Sequence, residues 1–93
     1  MATTTFSQEV TSTSWVLAID GTTYSKAIIG TGMCSTQIAY AIASSLPADN
    51  STQYDIIMKY ESKYIDLAAT DKIYVRKVRP RDGKIKAVLT SRA

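Results

Sequence analysis

The fold of this chain is decided by one stretch, KIYVRKVRPRDGKIKAVL, which occupies residues 72–89. Apolar and polar side chains alternate through both of its ends, and a period of two is typical of a half-buried strand. The middle of the stretch is Arg79-Pro-Arg-Asp-Gly83, in which proline and the Asp-Gly pair favour a hairpin loop. The stretch therefore predicts two antiparallel strands, 72–78 and 84–89, joined as a hairpin.

Similar alternating runs precede this stretch at 6–11, 15–20 and 24–29. Asp20-Gly21 tolerates the positive φ angles of a tight turn, so it predicts that the second and third runs form a hairpin. The first run is expected to be an edge strand. Its polar flank indicates that residues 1–5 are a flexible N-terminal arm.

The middle of the chain allows two interpretations. Alanines favour a helix over 36–46, whereas the strict alternation and the β-branched residues of 34–43 favour a strand, which we adopt. The segment 44–53 is rich in turn-forming residues and predicts an exposed loop. Two further runs, 54–60 and 64–67, are expected to continue one sheet. About seven or eight short strands in 93 residues predict a single all-β domain, an antiparallel β-sandwich or small barrel spanning 1–93.

Composition fits a small folded domain that associates with other subunits. Hydrophobic residues make up 45% of the chain and charged residues 20%, as in ordinary globular proteins. A domain this short buries a limited core, so oligomerisation is a natural source of extra stability. There is one cysteine, Cys34, so no intrachain disulfide can form, and we interpret this residue as a small packing residue. The lack of a disulfide framework indicates that the protein is made in a reducing compartment. Neither an export signal nor a membrane-spanning run is recognisable.

Nothing in the sequence forms a catalytic or metal-binding motif. Histidine is absent, which removes the commonest general base and metal ligand. The acidic residues are scattered, and Gly30-Thr-Gly32 lacks the other elements of a phosphate-binding loop. We therefore expect a protein that is not an enzyme and that uses no cofactor or metal.

Charge is divided unevenly along the chain. Residues 1–71 hold three basic and seven acidic residues, whereas residues 72–93 hold eight basic residues and one acidic residue. The predicted last hairpin is therefore a basic ribbon, to which Lys72 and Arg92 also contribute. The candidate partner-binding residues on it are Tyr74, Arg76, Lys77, Arg79, Arg81, Lys84 and Lys86.

Three partners remain open for this ribbon and the aromatic residues. Nucleic acid would meet the basic side chains through its phosphates, with tyrosines stacking on bases. A second copy of the chain would offer its acidic part, which favours a homo-oligomer such as a trimer or ring. Exposed tyrosines could also bind sugar rings. The alternative is structural: the charges occupy the solvated face of a sheet, while Trp15, Tyr40 and Tyr74 fill the core.

Several segments together resemble a known class of protein. These are Thr13-Ser-Trp15 opening a strand, Ile38-Ala-Tyr-Ala-Ile42 running toward Leu46-Pro47, and Lys72-Ile-Tyr-Val-Arg76 before a glycine-containing turn and a last strand. In this pattern the chain resembles small virion structural proteins of tailed bacteriophages, namely head-decoration proteins and fibre- or tail-anchoring β-domains. The resemblance implies a non-enzymatic virion protein that is made in the host cytoplasm and assembles with itself and other virion proteins.

Overall fold

The computed structural model describes residues 2–31, 37–58, 61–78 and 81–92. Within these ranges every regular element is a β-strand. The strands are β1 (Thr3–Val10), β2 (Val16–Asp20), β3 (Tyr24–Thr31), β4 (Ile38–Ala43), β5 (Asp55–Ile57), β6 (Ser62–Asp66), β7 (Lys72–Lys77) and β8 (Gly83–Ser91). The strand interpretation of the alanine-rich segment is thus confirmed, since β4 replaces the alternative helix over 36–46. Cys34 lies outside the described residues.

The strands form two four-stranded sheets in which every neighbouring pair is antiparallel. Sheet A has the order β1-β8-β3-β6, and sheet B has the order β2-β7-β4-β5. The pairing is nested, because the first strand pairs with the eighth, the second with the seventh, the third with the sixth and the fourth with the fifth. This is the strand order of a jelly roll. It confirms the predicted all-β fold as a small β-sandwich.

The predicted hairpins are wrong, although their strands are present. The strands on either side of the segment 79–83, β7 and β8, lie in different sheets, and so do β2 and β3 around Gly21. The runs 54–60 and 64–67, expected in one sheet, also divide between sheets as β5 and β6. Turn residues mark where the chain reverses but do not say which sheet it enters next. A strand needs an apolar inner face in whichever sheet it lies. Alternation of apolar and polar residues therefore predicts where the strands are, but not which strands pair with each other.

Sheet A extends nearer to the N-terminus than the sequence predicted. β1 is an edge strand, as expected, but it begins at Thr3 and pairs without a shift from Thr3↔Thr90 to Val10↔Gly83. Residues 3–5 of the expected flexible arm are therefore part of the sheet. Their threonines favour an extended conformation, and β8 is long enough to bond with them.

The main core lies between the two sheets and consists of the inward side chains of both. Ile85 and Leu89 of β8 alternate with outward residues, and Ile73 and Val75 of β7 do the same from the opposite sheet. All four are fully buried. The other buried members are Val10, Ile19, Ala27, Ile29, Ile38, Ile57, Ile65, Leu67 and Ala87.

A second apolar cluster lies on the outer face of sheet B. It consists of Trp15, Ala39, Ala41 and Tyr74. Ala39, Ala41 and Tyr74 alternate along β4 and β7 with inward residues, and Trp15 directly precedes β2. Trp15 and Tyr74 are 4% and 6% exposed, so both are buried as the structural alternative expected, although in this second cluster and not in the main core. Tyr40 is half-buried and packs against the main core. This second cluster covers part of a face that a simple alternating strand would leave to solvent.

Candidate interaction surface

The outer face of sheet A carries an uncovered apolar row. Strand alternation points Val88 of β8 away from the core, and the register places it beside Ile28 of β3. Ile28 in turn lies beside Tyr64 of β6. These side chains are 41%, 41% and 61% exposed, respectively. Three neighbouring strands thus present one continuous line of apolar side chains to solvent, with Thr5 of β1 at its end.

A groove of about 590 Å³ runs across the same face, beside the apolar row. Its lining includes Ser7, Lys86, Gly30 and Ser62, which the registers align across β1, β8, β3 and β6. Gly30 has no side chain, which leaves a gap in the middle of this second line of residues. A Cβ atom there would lie 2.9 Å from the carbonyl oxygen of Glu61, so glycine suits the close approach of β6 at this point.

The structure separates the residues that were predicted to form one basic ribbon. Because β7 belongs to sheet B and β8 to sheet A, Arg76 lies on the outer face of sheet B, whereas Lys84 and Lys86 lie on the outer face of sheet A. Arg81 is exposed between the two strands, and Arg79 lies outside the described residues. Among the described residues the predicted patch is therefore divided between two faces, since β7 and β8 do not pair as a hairpin.

Arg76 is half-buried and is held by contacts within its own chain. Its guanidinium carbon lies 4.3 Å from the ring centroid of Trp15 and 5.2 Å from that of Tyr54, distances at which cation–π attraction operates. Its Nη1 donates a hydrogen bond of 2.6 Å to the carbonyl oxygen of Asp49. The Ser14 hydroxyl approaches the Asp49 carboxylate at 3.4 Å. Arg76 therefore fastens the loop that contains Asp49 over the outer face of sheet B.

Two other predicted partner-binding residues also have structural contacts. Tyr74 is buried in the cluster beneath this loop, so its ring is not available for stacking on a partner. The ammonium group of Lys77 lies 3.0 Å from the Asp82 carboxylate, and its side chain is only 16% exposed. This ion pair joins the last residue of β7 to the residue before β8.

Arg92 joins two connections between strands to the end of β8 by donating to backbone carbonyls. Its Nε donates to Gly21 at 2.8 Å, and its Nη2 donates to Leu67 at 2.6 Å and to Tyr24 at 3.2 Å. The side chain thereby connects the β2–β3 turn, the residues after β6 and the end of β8. Its predicted part in a partner-binding patch is replaced by this intramolecular role.

We expect Arg92→Ala to lower the free energy of unfolding by about 2 kcal/mol, because hydrogen bonds from a charged group are lost and carbonyl groups are left without a donor. Urea denaturation followed by circular dichroism measures this. Arg81→Ala removes the same charge from an exposed position and is the control, with an expected change within about 0.5 kcal/mol. Equal losses in the two variants would contradict the role of Arg92.

The acidic residues form small local networks. Lys63 lies 3.4 Å from Glu61 and 3.9 Å from Asp55. The backbone N–H of Met58 holds the pKa of Glu61 below its usual value, and burial together with the nearby Asp55 raises the pKa of Tyr40. Asp20 accepts hydrogen bonds from the backbone N–H and hydroxyl of Thr22, which lower the pKa of its carboxyl. Among the described residues no group of three metal-ligating side chains comes together.

Comparison with known proteins gives no relative for this fold. No protein-family model, curated protein or solved structure matches the chain. Over the described ranges there is also no helix of the length and apolar character that a membrane span requires.

The apolar row was not recognised from the sequence, although part of its signal is there. Ile28 is two residues from Lys26, and Val88 is two and four residues from Lys86 and Lys84, so in each strand these residues lie on the same face. Apolar residues therefore occupy positions where the neighbouring outward side chains are charged. Their alignment with each other depends on the register of three strands from distant parts of the chain, which no local pattern specifies.

Proposed function

We propose that this protein is a non-enzymatic structural subunit of a virion of the tailed-phage type, and that it acts by assembling with further copies of itself and docking on a larger particle. The observation that carries the proposal is the apolar row of Val88, Ile28 and Tyr64 on the outer face of sheet A. Removal of such a row from water stabilises an assembly by roughly 25 cal/mol for each Å² that is buried.

The size and charge of the face suit another copy of the chain. Four strands at a spacing of about 4.8 Å and a length of about 25 Å give roughly 500 Å² for each copy. Two copies would bury about 1,000 Å², the lower limit of a specific interface. Both signs of charge occur on the face, with Lys26 opposite Asp66 and Lys84 opposite Glu9 in the registers. This mixture permits self-complementary contact.

The jelly-roll strand order agrees with this proposal at the level of fold. Viral capsid domains are among the proteins built on this order, as are lectins, and a fold alone does not decide between such functions. The division of the basic residues between two faces removes the continuous track on which the nucleic-acid hypothesis rested. Two of the three side chains in the apolar row, Val88 and Ile28, are aliphatic. This favours a protein partner over a sugar, because sugar rings stack on aromatic surfaces.

Light scattering on the purified protein tests the proposal. We expect a defined oligomer of the 10.2 kDa chain, with a mass that persists between about 50 and 500 mM salt, since burial of apolar surface is not screened by ions. Val88→Lys should lower the mass, because it places a charge in the middle of the apolar row.

Thr70→Lys is the matched control. It adds the same charge in the exposed turn before β7, away from the outer face of sheet A, and should leave the mass unchanged. A wild-type monomer at both salt concentrations would contradict self-assembly. An oligomer whose mass is the same for wild type and Val88→Lys would show that this face is not the contact.

A further inference from the structure

The free edge of β1 has few of the features that usually prevent strand addition. β1 has eight residues, contains neither proline nor lysine, and keeps its register with β8 throughout. The other edge strands differ from it: β2 is interrupted by a bulge, β5 has three residues, and β6 has five residues that include Lys63 and Asp66. Natural proteins protect sheet edges by such shortening, bulges and charges. Among the described edge strands, β1 is therefore the least protected.

We propose that β1 pairs antiparallel with β1 of a second copy about a two-fold axis at Phe6, so that two copies of sheet A form one continuous eight-stranded sheet. Identical strands related by a two-fold axis are automatically antiparallel, and each offers the same unpaired backbone groups to the other. The inference rests on the proposed self-assembly and specifies one contact within it.

Side-chain orientation determines the register. Directly opposed residues of neighbouring strands lie on the same face of a sheet. Outward residues must therefore face outward residues, which places the axis at a residue and not between two residues. An axis at Phe6 opposes Thr5 to Ser7 and Thr3 to Glu9 on the outer face. On the inner face it brings the two Phe6 rings together.

Burial and charge both favour this axis. Phe6 is half-buried and packs against the main core, so the second ring would cover its remaining exposed surface. An axis one residue later would oppose Phe6 to Gln8 instead. Glu9 is the one charged residue of β1. With the axis at Phe6 the two Glu9 side chains are about 20 Å apart, six residues at 3.3 Å each, beyond the screening length at physiological salt.

The groove on sheet A ends at the same three residues. Its lining at the β1 side consists of Thr5, Phe6 and Ser7, which are the residues on and beside the proposed axis. Pairing of the two strands therefore joins the two grooves end to end, and each copy contributes its own Lys86 to the combined groove. The groove of one chain is completed by the second copy.

Paired charge substitutions test both the contact and its register. In the dimer, residue 5 of each chain opposes residue 7 of the other, twice by symmetry. Thr5→Glu with Ser7→Glu opposes like charges at both places and should weaken dimerisation about tenfold, whereas Thr5→Lys with Ser7→Glu opposes unlike charges and should preserve or strengthen it. Sedimentation equilibrium over a concentration series, in the Val88→Lys background, measures the dissociation constants without a contribution from the outer face.

Asn50→Glu with Thr52→Glu is the control. It adds the same charge as the repulsive variant at the same spacing, in an exposed loop outside sheet A, and should leave the dissociation constant unchanged. Equal dissociation constants for the two β1 variants would overturn the pairing, while an oligomer in the wild type would still support the proposed function. A wild-type monomer would instead overturn the proposed function together with the pairing.

Hydrogen exchange on the wild type provides a second measurement that does not depend on the folding of any variant. Amides of β1 that point away from β8 should exchange more slowly at high than at low protein concentration, because pairing with a second copy gives them a hydrogen-bond acceptor. Exchange of all β1 amides that is independent of concentration would overturn the proposed pairing.

Discussion

Trp15→Ala is expected to lower the free energy of unfolding by about 3–5 kcal/mol, the range for removal of a large buried aromatic side chain. The indole is 4% exposed and forms the apolar cluster on the outer face of sheet B with Ala39, Ala41 and Tyr74. It also contacts the Tyr54 ring edge-on at a centroid distance of 5.6 Å. Alanine would leave a cavity above small side chains that cannot fill it.

The substitution should also destabilise the loop that contains Asp49 and covers the outer face of sheet B. Arg76 stacks on Trp15 and donates to the carbonyl oxygen of Asp49, so removal of the ring takes away one of the supports of that arginine. Unfolding in urea, followed by far-ultraviolet circular dichroism, measures the change. Tryptophan fluorescence cannot report on the variant, because Trp15 is the one tryptophan of the chain.

Trp15→Phe is the matched control for this prediction. It keeps an aromatic ring and removes the indole N–H, which is buried and has no hydrogen-bond partner among the described residues. Its loss of stability should therefore be clearly smaller than that of alanine, since no satisfied hydrogen bond is broken. Similar losses for the two variants would contradict the assignment of the stability to ring packing.

Gly21→Ala is expected to destabilise the fold by about 3 kcal/mol, because the added methyl group has no space. Its Cβ atom would overlap the carbonyl oxygens of Ala68 and Asp71. The backbone there is fixed from both sides: the Gly21 N–H donates to Asp71 at 2.8 Å, and the Gly21 carbonyl accepts from Arg92. Relief of the overlap would require the turn between β6 and β7 to move and these bonds to break.

Thermal and urea denaturation of Gly21→Ala should both show the loss, and Gly30→Ala is the comparison. At Gly30 the new Cβ atom would approach one backbone oxygen, that of Glu61, at 2.9 Å. A shift of a few tenths of an ångström would relieve this contact, so a loss of about 1 kcal/mol is expected. A larger loss at Gly30 than at Gly21 would contradict the assignment of the tighter site to Gly21.

The class of fold was predictable from the sequence because the alternation of apolar and polar residues indicates which side chains face a core. The strands 72–78 and 84–89 were located within a few residues for this reason, and so was β4. Their partners were not predictable, since β8 bonds to β1 and β3, which are distant along the chain. Turn composition at Asp20-Gly21 indicated a reversal correctly but carried no information about which sheet follows it.

The candidate interaction surface could not be predicted from the sequence for the same reason. Arg76 looked like a partner-binding residue because it is basic and lies in a basic segment, whereas its environment is set by the distant Trp15 and Tyr54. The alignment of Val88 with Ile28 likewise depends on register. Local pattern gives the direction in which a side chain points, and only long-range pairing gives its neighbours.

The nested strand order also has a consequence for biosynthesis. Only β4 and β5 are both consecutive and paired, so the native contacts are mostly non-local and folding is expected to be slow for a domain of this size. β1 is translated before β8 and finds its partner only when β8 has been made. Until then its backbone groups are open to the β8 of a neighbouring nascent chain on the same messenger RNA. We therefore expect crowded polysomes to favour exchange of β1 between chains.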